Sequence, residues 1–91
     1  MNFEWNKSKA NDNFAKHGVS FELAKRVFDD PFAVEFRDDR EDYDEERFVI
    51  MGMVDRQILF VAYVERKDAI RIISARRATT HEQEIYSEEN S

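Results

Sequence analysis

The chain has 91 residues, 14 Lys+Arg against 20 Asp+Glu, and no Cys. That length allows one domain around one small core, and the lack of cysteine excludes a disulfide framework or a thiolate zinc site. No apolar run approaches the ~20 residues of a membrane span, and the N-terminus has no basic-then-apolar leader, so a single soluble, cytoplasmic domain over residues 1–91 is expected.

In chain order, "FEWN" (3–6) reads as a short strand ending in Asn6, a residue suited to capping a helix. A helix from about Lys7 to Lys16 then places Ala10 and Phe14 on one face, and Gly18 ends it by accepting positive φ. Ser20 caps a second helix, in which Leu23, Ala24, Val27 and Phe28 keep helical spacing until "DDP" (29–31) stops it. From Pro31 the period changes to two. "FAVEF" (32–36) alternates as a half-buried strand, and "RFVIMGMV" (47–54), "ILFVAYV" (58–64) and "AIRIISAR" (69–76) follow. The connections "DRQ" and "ERKD" are short enough for antiparallel hairpins. "TTHE" (79–82) fits a Thr-x-x-Glu capping box, so a last helix is expected from about Thr80 to Tyr86, with 87–91 fraying. The central strands are apolar on both faces, so both must be covered at least in part.

The acid is concentrated. Between Asp38 and Glu46, "DDREDYDEE" carries the whole net charge of −6. Such runs are usually solvated loops, and the alternative is a loop that faces a basic partner.

Few residues suit catalysis. A catalytic metal needs about three protein ligands. His17 and His81 lie in unrelated segments, and no carboxylate motif accompanies them, so no metal site is expected. Gly18 and Gly52 are the only glycines, which leaves no phosphate-cradling loop and no implied cofactor.

The arginines are better candidates. If "ERKD" closes a hairpin between Val64 and Ala69, Arg71 lies opposite Ala62; if "DR" is the other turn, Arg47 lies opposite Val64. Arg47 and Arg71 then share a face near one end of the sheet, suited to one phosphate. Arg76 falls on the other face unless a β-bulge moves it, and Arg76 with Arg77 marks a second basic spot. The plainer reading pairs each arginine with a nearby carboxylate, makes His17 a helix-end residue, and puts Trp5 and Tyr63 in the core or at its rim.

Taken together, "FEWNKSKANDNFAKHGVSFELA", "VFDDP", "EERFVIMG" and "RIISARRAT", with a following Glu and Tyr, closely resemble the BrnT family of bacterial type II toxins. The resemblance runs from Phe3 to about Tyr86, and "KHGVSFE" and "RIISARRAT" are its most specific parts. It implies an α+β, RelE-like fold, with N-terminal helices on an antiparallel sheet of about four strands and a short C-terminal helix. It also implies a ribonuclease that arrests translation and growth, held by a BrnA-type DNA-binding antitoxin through which the complex reaches operator DNA. The polar positions of the family pattern are Lys9, Lys16, His17, Glu46, Arg47, Arg71, Ser74, Arg76 and Tyr86. RelE-like toxins tend to be basic, and here this chain departs from them.

Metal-free RNA cleavage needs a base for the 2′-hydroxyl proton, cations against the pentavalent phosphorane, and an acid for the leaving oxygen. Arg47, Arg71 and Arg76 suit the second role; His17, Glu46 and Tyr86 are candidates for proton transfer, and nothing in the sequence chooses among them. Lys9, Lys16 and Arg77 are the expected RNA contacts. The competing class is a non-catalytic or degenerate module that binds antitoxin or nucleic acid.

Overall fold

In the computed structural model, which describes residues 1–91, the elements run β1 (Phe3–Glu4), α1 (Lys7–His17), α2 (Phe21–Ala24), β2 (Val34–Arg37), β3 (Phe48–Val54), β4 (Gln57–Glu65), β5 (Ile70–Arg77) and α3 (Thr80–Glu89). Local chemistry sets most boundaries. Asn6 Oδ1 accepts the Lys9 N–H at 3.0 Å to start α1, and Gly18, at φ 68°, ends it by donating to the Phe14 carbonyl. Ser20 caps α2 through the Leu23 N–H, and Thr79 and Glu82 form the expected capping box on α3. The second helix is shorter than its spacing predicts: it tightens into a 3₁₀ turn over Lys25–Asp29. There Val27 packs so closely on β3 that a Cβ at Gly52 would sit 3.0 Å from Val27 Cβ and from its carbonyl oxygen. α3 runs past Tyr86 to Glu89.

The fold is α+β, as expected, and the expected sheet of about four antiparallel strands gains a short fifth: the order is β1-β5-β4-β3-β2, and the sheet is mixed because β1 pairs in parallel with β5. The "DR" turn closes the β3–β4 hairpin as expected, with Asp55 and Arg56 both at positive φ (47° and 71°), the twist a two-residue hairpin demands.

Each face has its own cover. α1, α2 and the 3₁₀ turn close one face around Phe21, Val27, Ile50, Val61, Tyr63 and Ile72; α3 closes the other, with Tyr86 on Val49, Met51 and Phe60. No helix is long and apolar enough to cross a membrane.

One irregularity controls the chemistry. In the β4–β5 ladder Tyr63 pairs with Ile72 but Ala62 pairs with Ser74, so Ile73 is an extra residue in β5. Ile72 and Ala75 are both buried in the helix-side core, and three residues of regular strand would put them on opposite faces. The bulge reconciles them. Two expectations fail. Arg71 lies opposite Val64 rather than Ala62, because the β4–β5 turn is tighter than expected and pairs Glu65 with Ile70; and the bulge places Arg76 opposite Phe60, on the same face as Arg71, rather than on the other.

Candidate active site

α1 crosses the outer edge of β5, where β1 pairs only with Ile70 and Arg71 and leaves the rest of the edge without a strand neighbour. Asn13 fills that place. Its Nδ2 donates to the Ala75 carbonyl at 2.8 Å and to the Val19 carbonyl at 3.0 Å, while its Oδ1 accepts the Ala75 N–H at 3.1 Å. A buried primary amide thus substitutes for a strand residue, satisfying backbone groups that would otherwise be orphaned. The clamp fixes what α1 carries on either side of it. Lys9, Asp12, Lys16 and His17 follow helical spacing and form one wall of a cleft of about 370 Å³; Arg47, Ile73 and Ser74 form the other. Ser74 reaches this wall because the bulge at Ile73 turns it to the face that Arg47 also occupies.

Half of the Lys and Arg side chains, seven of 14, meet a carboxylate, among them Arg26 with Asp55, Arg37 with Asp39 and Glu46, Arg40 with Asp38, and Arg66 with Glu45. Lys9, Lys16 and Arg47 make no such pair. Arg47 lies with its guanidinium carbon 4.1 Å from the centre of the Tyr43 ring, and its Nε–H is buried without a partner. Three free cations and a histidine therefore converge beside one aspartate, Asp12, in a chain whose acids outnumber its bases. That arrangement is suited to an anion.

The other sequence-predicted residues lie elsewhere. Arg71 shares Arg47's face of the sheet, as expected, but points to Glu4 at 3.9 Å and does not line the cleft. Arg76 lies over Phe60 at 4.1 Å and forks onto Glu82 through bonds of 2.7 and 2.9 Å. Burial disfavours the charged Glu82, but Arg76 and the Thr79 amide outweigh it and hold the carboxyl below the ordinary range. Arg77, on the opposite face, donates to Gln57, so Arg76 and Arg77 form no common basic spot. Glu46 is exposed near Arg37, in the acidic loop. Tyr86 is buried under α3 and donates to Asp30 Oδ2 at 2.7 Å; burial and that bond push its phenol up to about 12. It braces α3 against the loop before β2. Tyr63 is a core residue, its hydroxyl bound to Glu35.

Sequence reasoning missed Asn13, Asp12 and Tyr43. Asn13 stands at i+3 from Ala10, on the inward stripe of α1, but polar residues in helices are ordinarily assigned to water. Phe14, expected to share Ala10's buried face, is 56% exposed.

A family model described as "Ribonuclease toxin, BrnT, of type II toxin-antitoxin system" matches residues 5–82. No curated protein matches the chain.

Proposed function

The chain belongs to the BrnT family of type II toxin–antitoxin ribonuclease toxins, and we propose that it cleaves RNA in the cleft between α1 and β5, by its own side chains and without a metal. The family implies an RNA substrate and a protein antitoxin. The observation that carries the site is the convergence of Lys9, Lys16, Arg47 and His17, unpaired with acid, over Ser74.

In this reading an RNA phosphate sits between the two walls. His17 takes the proton of the adjacent 2′-hydroxyl, and the 2′ oxygen attacks phosphorus to form the phosphorane. Arg47 and the two ammonium groups hold its charge, and the 5′ oxygen leaves with a proton from a cleft lysine, giving a 2′,3′-cyclic phosphate and a 5′-hydroxyl. His17 is preferred over Glu46 and Tyr86 because it alone of the three lines the cleft. Arg47, Lys9 and Lys16 would supply the positive charge against the phosphorane from the chain's own side chains. The helices-on-sheet architecture fits a RelE-like toxin, whose action would be translation arrest, relieved by a BrnA-type antitoxin.

The test is cleavage of end-labelled RNA by purified protein in excess chelator, with induction of growth arrest as its cellular counterpart. Wild type should yield cyclic-phosphate ends. Arg47→Ala should slow cleavage by ~10²–10³, as loss of one preorganised charge contact does. His17→Ala should slow cleavage by ~10²–10⁴, as loss of a positioned proton acceptor does. Full activity in both variants would refute the site. A folded wild type that neither cleaves RNA nor arrests growth would support the non-catalytic module instead.

A further inference from the structure

The acidic segment 38–46 is not uniformly solvent-facing. Asp38 is 4% exposed, the one buried carboxylate of the chain. Its oxygens accept from Arg40 Nε at 2.7 Å and Nη2 at 2.8 Å, and from the Tyr43 hydroxyl at 3.3 Å. Its backbone N–H donates to the Arg47 carbonyl at 2.8 Å, so the two ends of the loop are tied together. Tyr43 is thereby held at its hydroxyl by Asp38 while its ring lies against the Arg47 guanidinium.

Arg47 follows seven carboxylates within nine residues and pairs with none of them. Its neighbours do otherwise. Arg37 is taken by Asp39, Arg40 by Asp38 and Arg66 by Glu45. A flexible arginine beside so much acid collapses onto a carboxylate unless something else holds it, and such a pair would both neutralise it and occupy its donors. An aromatic face holds a guanidinium differently. It binds the flat side of the cation, leaves the charge intact and leaves the N–H donors at the edge free for an anion.

We propose that Tyr43, fixed by Asp38, is a positioning residue for Arg47, holding that cation away from the surrounding carboxylates and aimed at the substrate phosphate. This rests on the cleft reading above. The acidic loop then serves the active site through its one aromatic residue, although its net charge opposes RNA.

The experiment compares Tyr43→Phe and Tyr43→Leu, alone and combined with Arg47→Ala, in RNA cleavage at saturating and limiting substrate. Tyr43→Phe keeps the ring and loses only the 3.3 Å bond to Asp38, so it should lower the rate by no more than about threefold. Tyr43→Leu should lower kcat roughly tenfold, the worth of one stacked cation contact, with KM little changed. In the Arg47→Ala background Tyr43→Leu should cost nothing further, because a positioning residue acts only through the group it positions. Additive losses, or equal loss in the Phe and Leu variants, would overturn the proposal. Nuclear magnetic resonance of the Arg47 Nε–H reads the stack directly, whatever the activity. Ring-current shielding should be present in wild type and Tyr43→Phe and lost in Tyr43→Leu, and an unchanged resonance overturns the inference. Shielding without any RNA cleavage by wild type would instead refute the cleft reading while leaving the stack in place.

Discussion

Asn13→Ala tests how the cleft is assembled. The substitution deletes three hydrogen bonds and leaves the Ala75 N–H, the Ala75 carbonyl and the Val19 carbonyl without partners. A buried neutral group left unsatisfied costs ~1–3 kcal/mol, and the lower end applies here because the cleft admits water to the vacated space. Three such groups give about 3 kcal/mol, a large share of the ~5–15 kcal/mol that holds a domain together. For a domain of this size that is a fall in Tm of roughly 12–24 °C. Urea denaturation should show the midpoint moving with the slope unchanged.

Asn13→Asp should be worse at neutral pH, since both Nδ2 donations become oxygen facing carbonyl oxygen. Burial and those carbonyls would raise the introduced carboxyl's pKa. Its neutral form is the one that fits, so the contribution is present at acid pH and lost as pH rises through the folded-state value. The Asp variant should therefore recover relative to the Ala variant as both are acidified. Cleavage per folded molecule should also fall in Asn13→Ala, because the residue sits between Lys9 and Lys16 on the helix it anchors. A stability change below ~0.5 kcal/mol, the scatter of ordinary surface substitutions, would refute the idea that the amide replaces a strand.

Two further perturbations follow from the same contacts. Tyr86→Phe removes the bond to Asp30 and should cost ~1.5–3 kcal/mol by denaturation, the worth of a hydrogen bond to a charged group. The wild-type phenol, pushed up to about 12, contributes stability that is whole below the ordinary ~10 and fades as pH rises through 12. Wild type and Tyr86→Phe should accordingly converge in stability at alkaline pH, and a constant gap would contradict this. Neutralising exposed Asp39, Glu41 and Asp42 should slow binding of a basic antitoxin at low salt and leave Tm unchanged, since complementary charge mainly steers encounter. Asp38 is left out because, unlike those three, it is a buried brace, and Asp38→Asn should lower Tm. An association rate equal to wild type at low ionic strength would show that the exposed acids face only solvent.

How much of this was legible in the sequence depended on the range of each interaction. The helix starts at Asn6, Ser20 and Thr79, the stop at Gly18 and the Asp55–Arg56 turn came through because caps and turns are decided within a few residues. The β3–β4 register, with Phe48 opposite Tyr63, came through for the same reason: a two-residue turn dictates the pairing of its own strands. The candidate site was half visible. Lys9, Lys16, His17 and Arg47 were named and are brought together, while Arg71, Arg76, Arg77, Glu46 and Tyr86 were named and lie apart from them.

By itself, then, the sequence determined the elements, the two apolar faces of the central strands, the segment that holds the excess acid, and the family. Only the tertiary structure decided that Arg47 stands unpaired in the cleft while Arg71 and Arg76 meet carboxylates. The bulge at Ile73 arises because Ile72 and Ala75 must enter one core, a demand made by helices packing from elsewhere in the chain. That one extra residue turns Ser74 toward Arg47 and Arg76 toward Glu82. Asn13 is buried because the edge of β5 lacks a strand neighbour there, which depends on where β1 ends. The Arg47 guanidinium lies on the ring of Tyr43, four residues upstream, and on no carboxylate, a placement that only the folded loop produces. Local pattern gives each residue its preferences; which preference is satisfied depends on neighbours that only folding brings into contact.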